Sequence, residues 1–283
     1  MTTDRSPLHR FDPWEVACDL ADGARLGLLR CHGVDLLTTV PASFRPPDAD
    51  YGRYETRPVY GYDDCFPTVD ACGPWPDHGE LCWLQWSGSV LNCSASSVLA
   101  PLRFRRRLDF QAQRLRWHFT VSNAQEIPFL VQHVMHPLLP LDAIETIELP
   151  PAPAYDTYAV AAELRAQPAG TTRMLFLQNV SDGTVRLGFR GGLRLTMRFP
   201  LDLFPTLGIW WNHRGYPAEP GLQRSECAFE PIPGSDSTLT HGTTMTVPAD
   251  GELSWHIDWE IAHAPRTLVS CAGSGALVIH VAS

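Results

Sequence analysis

The chain has no C-x-x-C pair, almost no helical periodicity, no internal repeat and no apolar run approaching the roughly 18 to 20 residues that span a bilayer. Each shortage narrows the field. Its eight cysteines (Cys18, Cys31, Cys65, Cys72, Cys82, Cys93, Cys227 and Cys271) are irregularly spaced and fit neither a zinc ribbon nor a disulfide framework. The N-terminal MTTDRSPLHRFDPWE does not read as a charged-then-apolar signal sequence. A cytoplasmic protein with reduced thiols packed as small hydrophobes is therefore expected, with no membrane partner. Basic residues are also scarce: 22 against 31 acidic ones, a formal charge of −9. That argues against nucleic acid and suits a protein acting on a neutral small molecule. The single basic cluster, Arg103 to Arg107, reads as a solvated strand or turn face rather than a phosphate site.

What is present is period-two alternation. Leu115, Trp117, Phe119 and Val121 share one face, with Arg114, Arg116 and His118 on the other. The pattern returns in Val185, Leu187 and Phe189, and after Gly191-Gly192 in Leu193, Leu195, Met197 and Phe199, a hairpin. It recurs in Leu253 to Ile261 and in Leu277, Ile279 and Val281, and residues 23–40 form a further hairpin turning at His32-Gly33. One-faced strands bury themselves most simply in two stacked antiparallel sheets, so the fold class is all-β, a large antiparallel β-sandwich. A short helix is expected at 159–166. Long proline- and aromatic-rich connections are expected at 41–80, 149–169 and 206–236, and connections of that length usually do something. No linker-like break appears, and the 283 residues read as one domain.

Polar residues concentrate in those connections and beside one strand. NAQEIPFLVQHVMHPLLPL, residues 123–141, delivers His133 and His136 just before a proline stop. In an extended segment their odd offset puts them on opposite faces, and His136 is the one expected at a site. His78 sits in a polar Pro-Asp-His-Gly-Glu turn between Trp75 and Trp83. Glu230 follows Ala228-Phe229 and precedes Pro231, a rigid, partly buried place where desolvation would raise a carboxyl pKa. Trp210, Trp211 and Asn212 bring aromatic faces and an amide, which suit sugar rings and hydroxyls, although either tryptophan could equally be core. Asp63, Asp64 and Arg57 are further candidates for the same cleft.

Taken in order, several stretches resemble the galactose mutarotase-like (aldose 1-epimerase) superfamily. GARLGLLRCHGVDLL resembles its opening hairpin; Phe66-Pro67 and His78-Gly79 resemble its FP turn and HG histidine. Asn123 and His136 match the asparagine after the long strand and the histidine that follows; Phe229-Glu230-Pro231 resembles the late glutamate motif. GELSWHIDWEI is similar to the closing strand. The resemblance implies a many-stranded antiparallel β-sandwich and interconversion of the α and β anomers of a sugar through the open-chain aldehyde. It implies Glu230 as base at the anomeric hydroxyl and His136 as acid at the ring oxygen. His78 would bind and polarise the substrate or share the acid role. Trp210, Asn212, Asp64 and Arg57 are taken as substrate contacts.

Such an isomerase needs no metal and no organic cofactor, because one carboxylate and one imidazolium on opposite sides of the sugar carry both proton transfers. Met135-His136-Pro137-Leu138 departs from the galactose enzymes, which usually pair an asparagine with this histidine and place an aromatic two residues later. No aspartate securely matches the one that helps hold galactose, nor is the arginine-rich phosphate recognition of the hexose-6-phosphate branch evident. The sugar is therefore left open. The alternative is a non-catalytic carbohydrate-binding protein on the same fold, which would have no use for the Glu230/His136 pair. A metal site made of His78, His133 and His136 is disfavoured by the opposite-face argument. Exposed edge strands would permit a homodimer.

Overall fold

The computed structural model describes residues 6–40, 50–57, 59–218 and 221–263, together with the paired strands Leu268–Val269 and Ile279–His280. Cys271, Leu277 and Val281 lie outside the described residues. One layer is an eight-stranded antiparallel sheet. Its order runs Ile144–Glu148, Thr184–Phe189, Leu193–Arg198, Glu252–His263, Arg114–Asn123, Leu102–Gln111, Asn92–Ser96, Ser87–Ser89. The alternation is realised residue by residue: Leu115, Trp117, Phe119 and Val121 are fully buried, while Arg114, Arg116 and His118 keep partial exposure. Burying an aromatic such as Phe104 or Phe119 contributes about 1.5–3 kcal/mol.

Two smaller sheets pack against it. A six-stranded sheet holds Leu8–Phe11, Trp14–Asp19, Arg25–Cys31, Tyr62–Cys65 and Val134–Pro137 in that order, with Val34–Asp35 on Arg25–Cys31. A four-stranded sheet holds Leu139–Pro140, Ser225–Ile232, Thr206–His213 and Thr171–Gln178. The chain steps from one to the other at Leu138, and Val134–Pro137 lies beside Ser225–Ile232. Rings close the gap between layers, Tyr62 on Trp117 at 4.6 Å and Phe66 on Phe104 at 5.1 Å between centroids. The result is an all-β antiparallel sandwich. Among the described residues no helix is long and apolar enough to cross a membrane.

Four expectations need correction. The 206–236 segment is not a connection: it contains the strands Thr206–His213 and Ser225–Ile232, paired along their whole length. Both are buried on their two faces, so no alternation marks them. The 41–80 segment likewise contains the strand Tyr62–Cys65. Arg103, Arg105 and Arg107 are exposed as expected of a solvated face, but Arg106 points inward and is fully buried. The helix starts earlier than expected, at Thr157, because the Asp156 side chain accepts from the Ala159 N–H and caps it.

Candidate active site

Pairing decides which side chains meet. His136 lies directly opposite Asp63, and Met135 opposite Asp64. Opposed residues share a face, so Asp63 and His136 point one way and Asp64 and Met135 the other, into the core. On the neighbouring strand Glu226, Ala228 and Glu230 share a face, while Cys227 and Phe229 enter the core. Gly208 sits opposite Glu230 and Trp210 opposite Ala228. These outward faces, with the Tyr54–Thr56 turn and the His78 loop, enclose a cavity of about 330 Å³. Tyr54, His78, His136, Trp210, Arg224, Glu226 and Glu230 are among its lining residues.

Glu230 and His136 are the centre. His136 Nε2 lies 3.6 Å from Glu230 Oε1. Burial pushes the Glu230 carboxyl up to about 8. Burial, and then the neighbouring His78, pushes His136 down to about 3. Burial thus disfavours a charge on either group, and a carboxylic acid facing a neutral imidazole is the arrangement that leaves no charge in this poorly solvated place. His78 occupies a left-handed backbone conformation, φ +64°, which few non-glycine residues adopt and which recurs at functional sites. Its N–H donates to Val69 O at 2.6 Å, and Gly79 N–H to Pro76 O at 2.9 Å. Gly79 has φ +69°, and a Cβ there would meet Phe66 O at 2.1 Å. The His-Gly step and the Phe66-Pro67 step are thus one packed unit. His78 Nδ1 is 2.8 Å from the Asp77 carboxylate. Burial opposes the Asp77 charge, but the His78 hydrogen bond prevails and holds it below the usual range.

Of the expected contacts, Glu230, His136, His78 and Trp210 line the cavity together, and Trp211 turns into the core. Arg57, Asp64 and Asn212 do not line it. Arg57 is buried between Asp63 (2.9 Å) and Asp22 (2.7 Å), so its charge is already spent on carboxylates. Asp64 is fully buried, accepting from Arg106 at 2.6 Å, from Tyr62 at 2.5 Å and from His133 Nε2 at 2.9 Å. Asn212 accepts from the Gly215 and Tyr216 N–H groups and donates to Tyr216 O, holding a turn. Asn123 also holds a turn, donating to Ile127 O and Pro248 O. His78, His133 and His136 do not converge on one point: His133 belongs to the Asp64 network.

Tyr54 and Glu226 escaped sequence reasoning. Tyr54 donates to Asp63 Oδ2 at 2.9 Å and stacks on His78, 3.8 Å between centroids and 6° from parallel. Glu226 is almost fully buried, 3.3 Å from Asn212 Nδ2 and 3.2 Å from Arg224 NH2, and burial raises its pKa against the opposing pull of Arg224. Its offset of four from Glu230 would have flagged it had Ser225–Ile232 been recognised as a strand. Nothing in RYETR singled out Tyr54.

No family model matches the chain, and no curated protein matches it in sequence. Solved structures do share its fold. The Slr1438 protein from Synechocystis sp. PCC 6803 is 15% identical, with a TM-score of 0.68 over 93% of this chain and 98% of that one. A galactose mutarotase-like protein from Clostridium acetobutylicum is 12% identical, with a TM-score of 0.65 over 91% and 95%. A galactose 1-epimerase from Lactobacillus acidophilus NCFM is 11% identical, with a TM-score of 0.59 over 93% and 97%. The chain has the galactose mutarotase-like fold.

Proposed function

We propose that the protein is a mutarotase of the aldose 1-epimerase type, acting on a small-molecule carbohydrate, a monosaccharide, without a cofactor. One observation carries this reading: a carboxyl and an imidazole 3.6 Å apart at the wall of a cavity of sugar-ring size. A protein that only bound sugars could use a buried carboxyl to accept from a hydroxyl, but it would have no need of an imidazole placed to exchange a proton with that carboxyl.

The reaction runs on the single proton the pair holds. Sugar hydroxyls entering the cavity hydrogen-bond to Glu230 and favour its ionised form, and its proton passes to His136 Nε2. The pair stays neutral overall, so the shift adds no net buried charge. Glu230 then takes the proton of the anomeric hydroxyl while His136 gives its proton to the ring oxygen, and the bond between C1 and the ring oxygen breaks. The aldehyde rotates about C1–C2, and the reverse transfers close the ring on the other face. His78, oriented by Asp77, binds the substrate, and Trp210 offers an aromatic surface to the sugar's C–H face.

Anomer exchange followed by NMR over neutral and phosphorylated aldoses tests the reading. Wild type is expected to accelerate exchange of at least one sugar, and Glu230→Gln and His136→Asn each to lose about 10²- to 10⁴-fold. Binding without acceleration by wild type would replace this reading with that of a sugar-binding protein.

A further inference from the structure

Tyr54 touches two of the candidate catalytic residues at once. Its ring lies flat on His78 and meets His136 edge-on, at 5.8 Å and 86°. Its hydroxyl lies 2.9 Å from Asp63 Oδ2 and 3.4 Å from His136 Nδ1. The residue is 5% exposed, and Asp63 is 2% exposed.

A phenol has one hydrogen to give, and the neighbours decide where it goes. Burial opposes the charge on Asp63, but Arg57 and then Arg25 hold it ionised, and Arg57 is bonded to it directly at 2.9 Å. A carboxylate can only accept, and it is the nearer partner, so the Tyr54 hydrogen belongs to Asp63. What Tyr54 then offers His136 is a lone pair, and a lone pair at 3.4 Å favours a hydrogen on Nδ1. In the neutral ring Nε2 is consequently bare, and Nε2 is the atom that faces Glu230. The orientation is built from rigid parts, since Asp63 and His136 are opposed across a strand pair and Arg57 is itself clamped by Asp22.

We propose that Tyr54 is a positioning residue: its hydroxyl, committed to Asp63, fixes His136 in the Nδ1–H tautomer so that Nε2 is the atom that exchanges a proton with Glu230 and substrate. The tautomer does not depend on the mutarotase reading; its kinetic consequence rests on it.

The test is long-range ¹H–¹⁵N correlation NMR of the histidine rings in the uniformly labelled full chain, with the His136 signals assigned by their loss in His136→Asn. Wild type is expected to show neutral His136 protonated at Nδ1, and protonation at Nε2 would overturn the proposal without any variant. Tyr54→Phe keeps the ring and its stack on His78 but removes the acceptor, so His136 should move toward the Nε2–H form. On any aldose that wild type turns over, kcat for Tyr54→Phe should fall about 10- to 100-fold with KM changed by less than about threefold, as when an imidazole loses its orienting hydrogen bond. Asp63→Asn supplies a second variant: an amide there can donate to the phenol, which frees the Tyr54 hydrogen for Nδ1 and shifts the tautomer the same way. An unchanged tautomer in both variants overturns the assignment. If no aldose is turned over but the tautomers shift as stated, the mutarotase reading fails and the positioning of His136 by Tyr54 stands.

Discussion

Glu230 is a strand residue with almost no polar company. Its carboxyl pKa in the folded chain is raised from an ordinary 4.5 to about 8, with burial as the cause. A carboxyl raised on folding binds its proton more tightly in the native state, so the stability it contributes is complete below about pH 4.5 and is lost as pH rises toward 8. Ionising it inside the fold costs about 5 kcal/mol at most, and less once His136 takes up part of the proton. Glu230→Gln has no such charge to bury. Thermal melts of wild type and Glu230→Gln should therefore separate in favour of the variant as pH is raised from about 6 to about 9. A separation that stays constant over that range would mean that Glu230 titrates as an ordinary surface carboxylate. His136 contributes the opposite slope: its depressed pKa makes the native state lose stability as pH falls from about 6.5 toward 3.

At the scale of elements, the His78 loop is the clearest case of sequence dictating placement. Gly79 lies in left-handed backbone with Phe66 O where its Cβ would be, and Glu80 N–H donates to the same carbonyl at 2.9 Å. Gly79→Ala cannot be absorbed by a side-chain rotation, because the obstacle is backbone. It is expected to lower stability by about 1–3 kcal/mol in urea unfolding and to displace His78 from Tyr54, weakening sugar binding measured by calorimetry. Wild-type stability and affinity would show instead that the loop is free to move. Elements of this kind were legible beforehand, because HG and FP are local punctuation, and so were the long strands whose two faces differ in polarity. The Thr206–His213 and Ser225–Ile232 strands were not legible, although they carry Trp210 and Glu230. Buried on both sides, they show apolar runs without alternation, interrupted in Ser225–Ile232 by Glu226 and Glu230, and read as connection rather than strand. Arg57 and Asp64 were misplaced for a related reason. Asp64 lies beside Asp63, and whether its side chain turns to the site or to the core depends on strand register, which sequence does not reveal before the partner strand is known. Arg57 ends the Tyr54–Thr56 turn, and only the folded chain brings Asp22 and Asp63 to it.

Across the whole molecule, adjacent aspartates divide the labour between site and scaffold. Asp63 shares a face with His136 and lies behind Tyr54, through which, on the inference above, it serves His136. Asp64 faces the interior, where Arg106 from the eight-stranded sheet reaches it at 2.6 Å and also donates to Ala24 O at 2.6 Å. Tyr62 and His133 complete the group. Burial opposes the charge on Asp64, and Arg106, followed by His133, keeps it ionised. This cluster fastens one layer of the sandwich to the other. Because every member has left water, removing one partner strands the others, and a stranded buried charge costs far more than the intact pair contributes. Asp64→Ala should accordingly lower unfolding free energy by about 3–5 kcal/mol in urea, whereas Asp64→Leu combined with Arg106→Met should recover much of that loss by replacing the pair with packed side chains. The folded fraction of the double variant should keep the anomer exchange rate of wild type, since neither residue reaches the cavity. If the double variant is as unstable as Asp64→Ala, the cluster is needed for its hydrogen-bond geometry and not merely to neutralise Arg106. If exchange is lost while the fold is retained, the scaffold aspartate acts on the site after all, through the register of Tyr62–Cys65 against Val134–Pro137, which sets where His136 points.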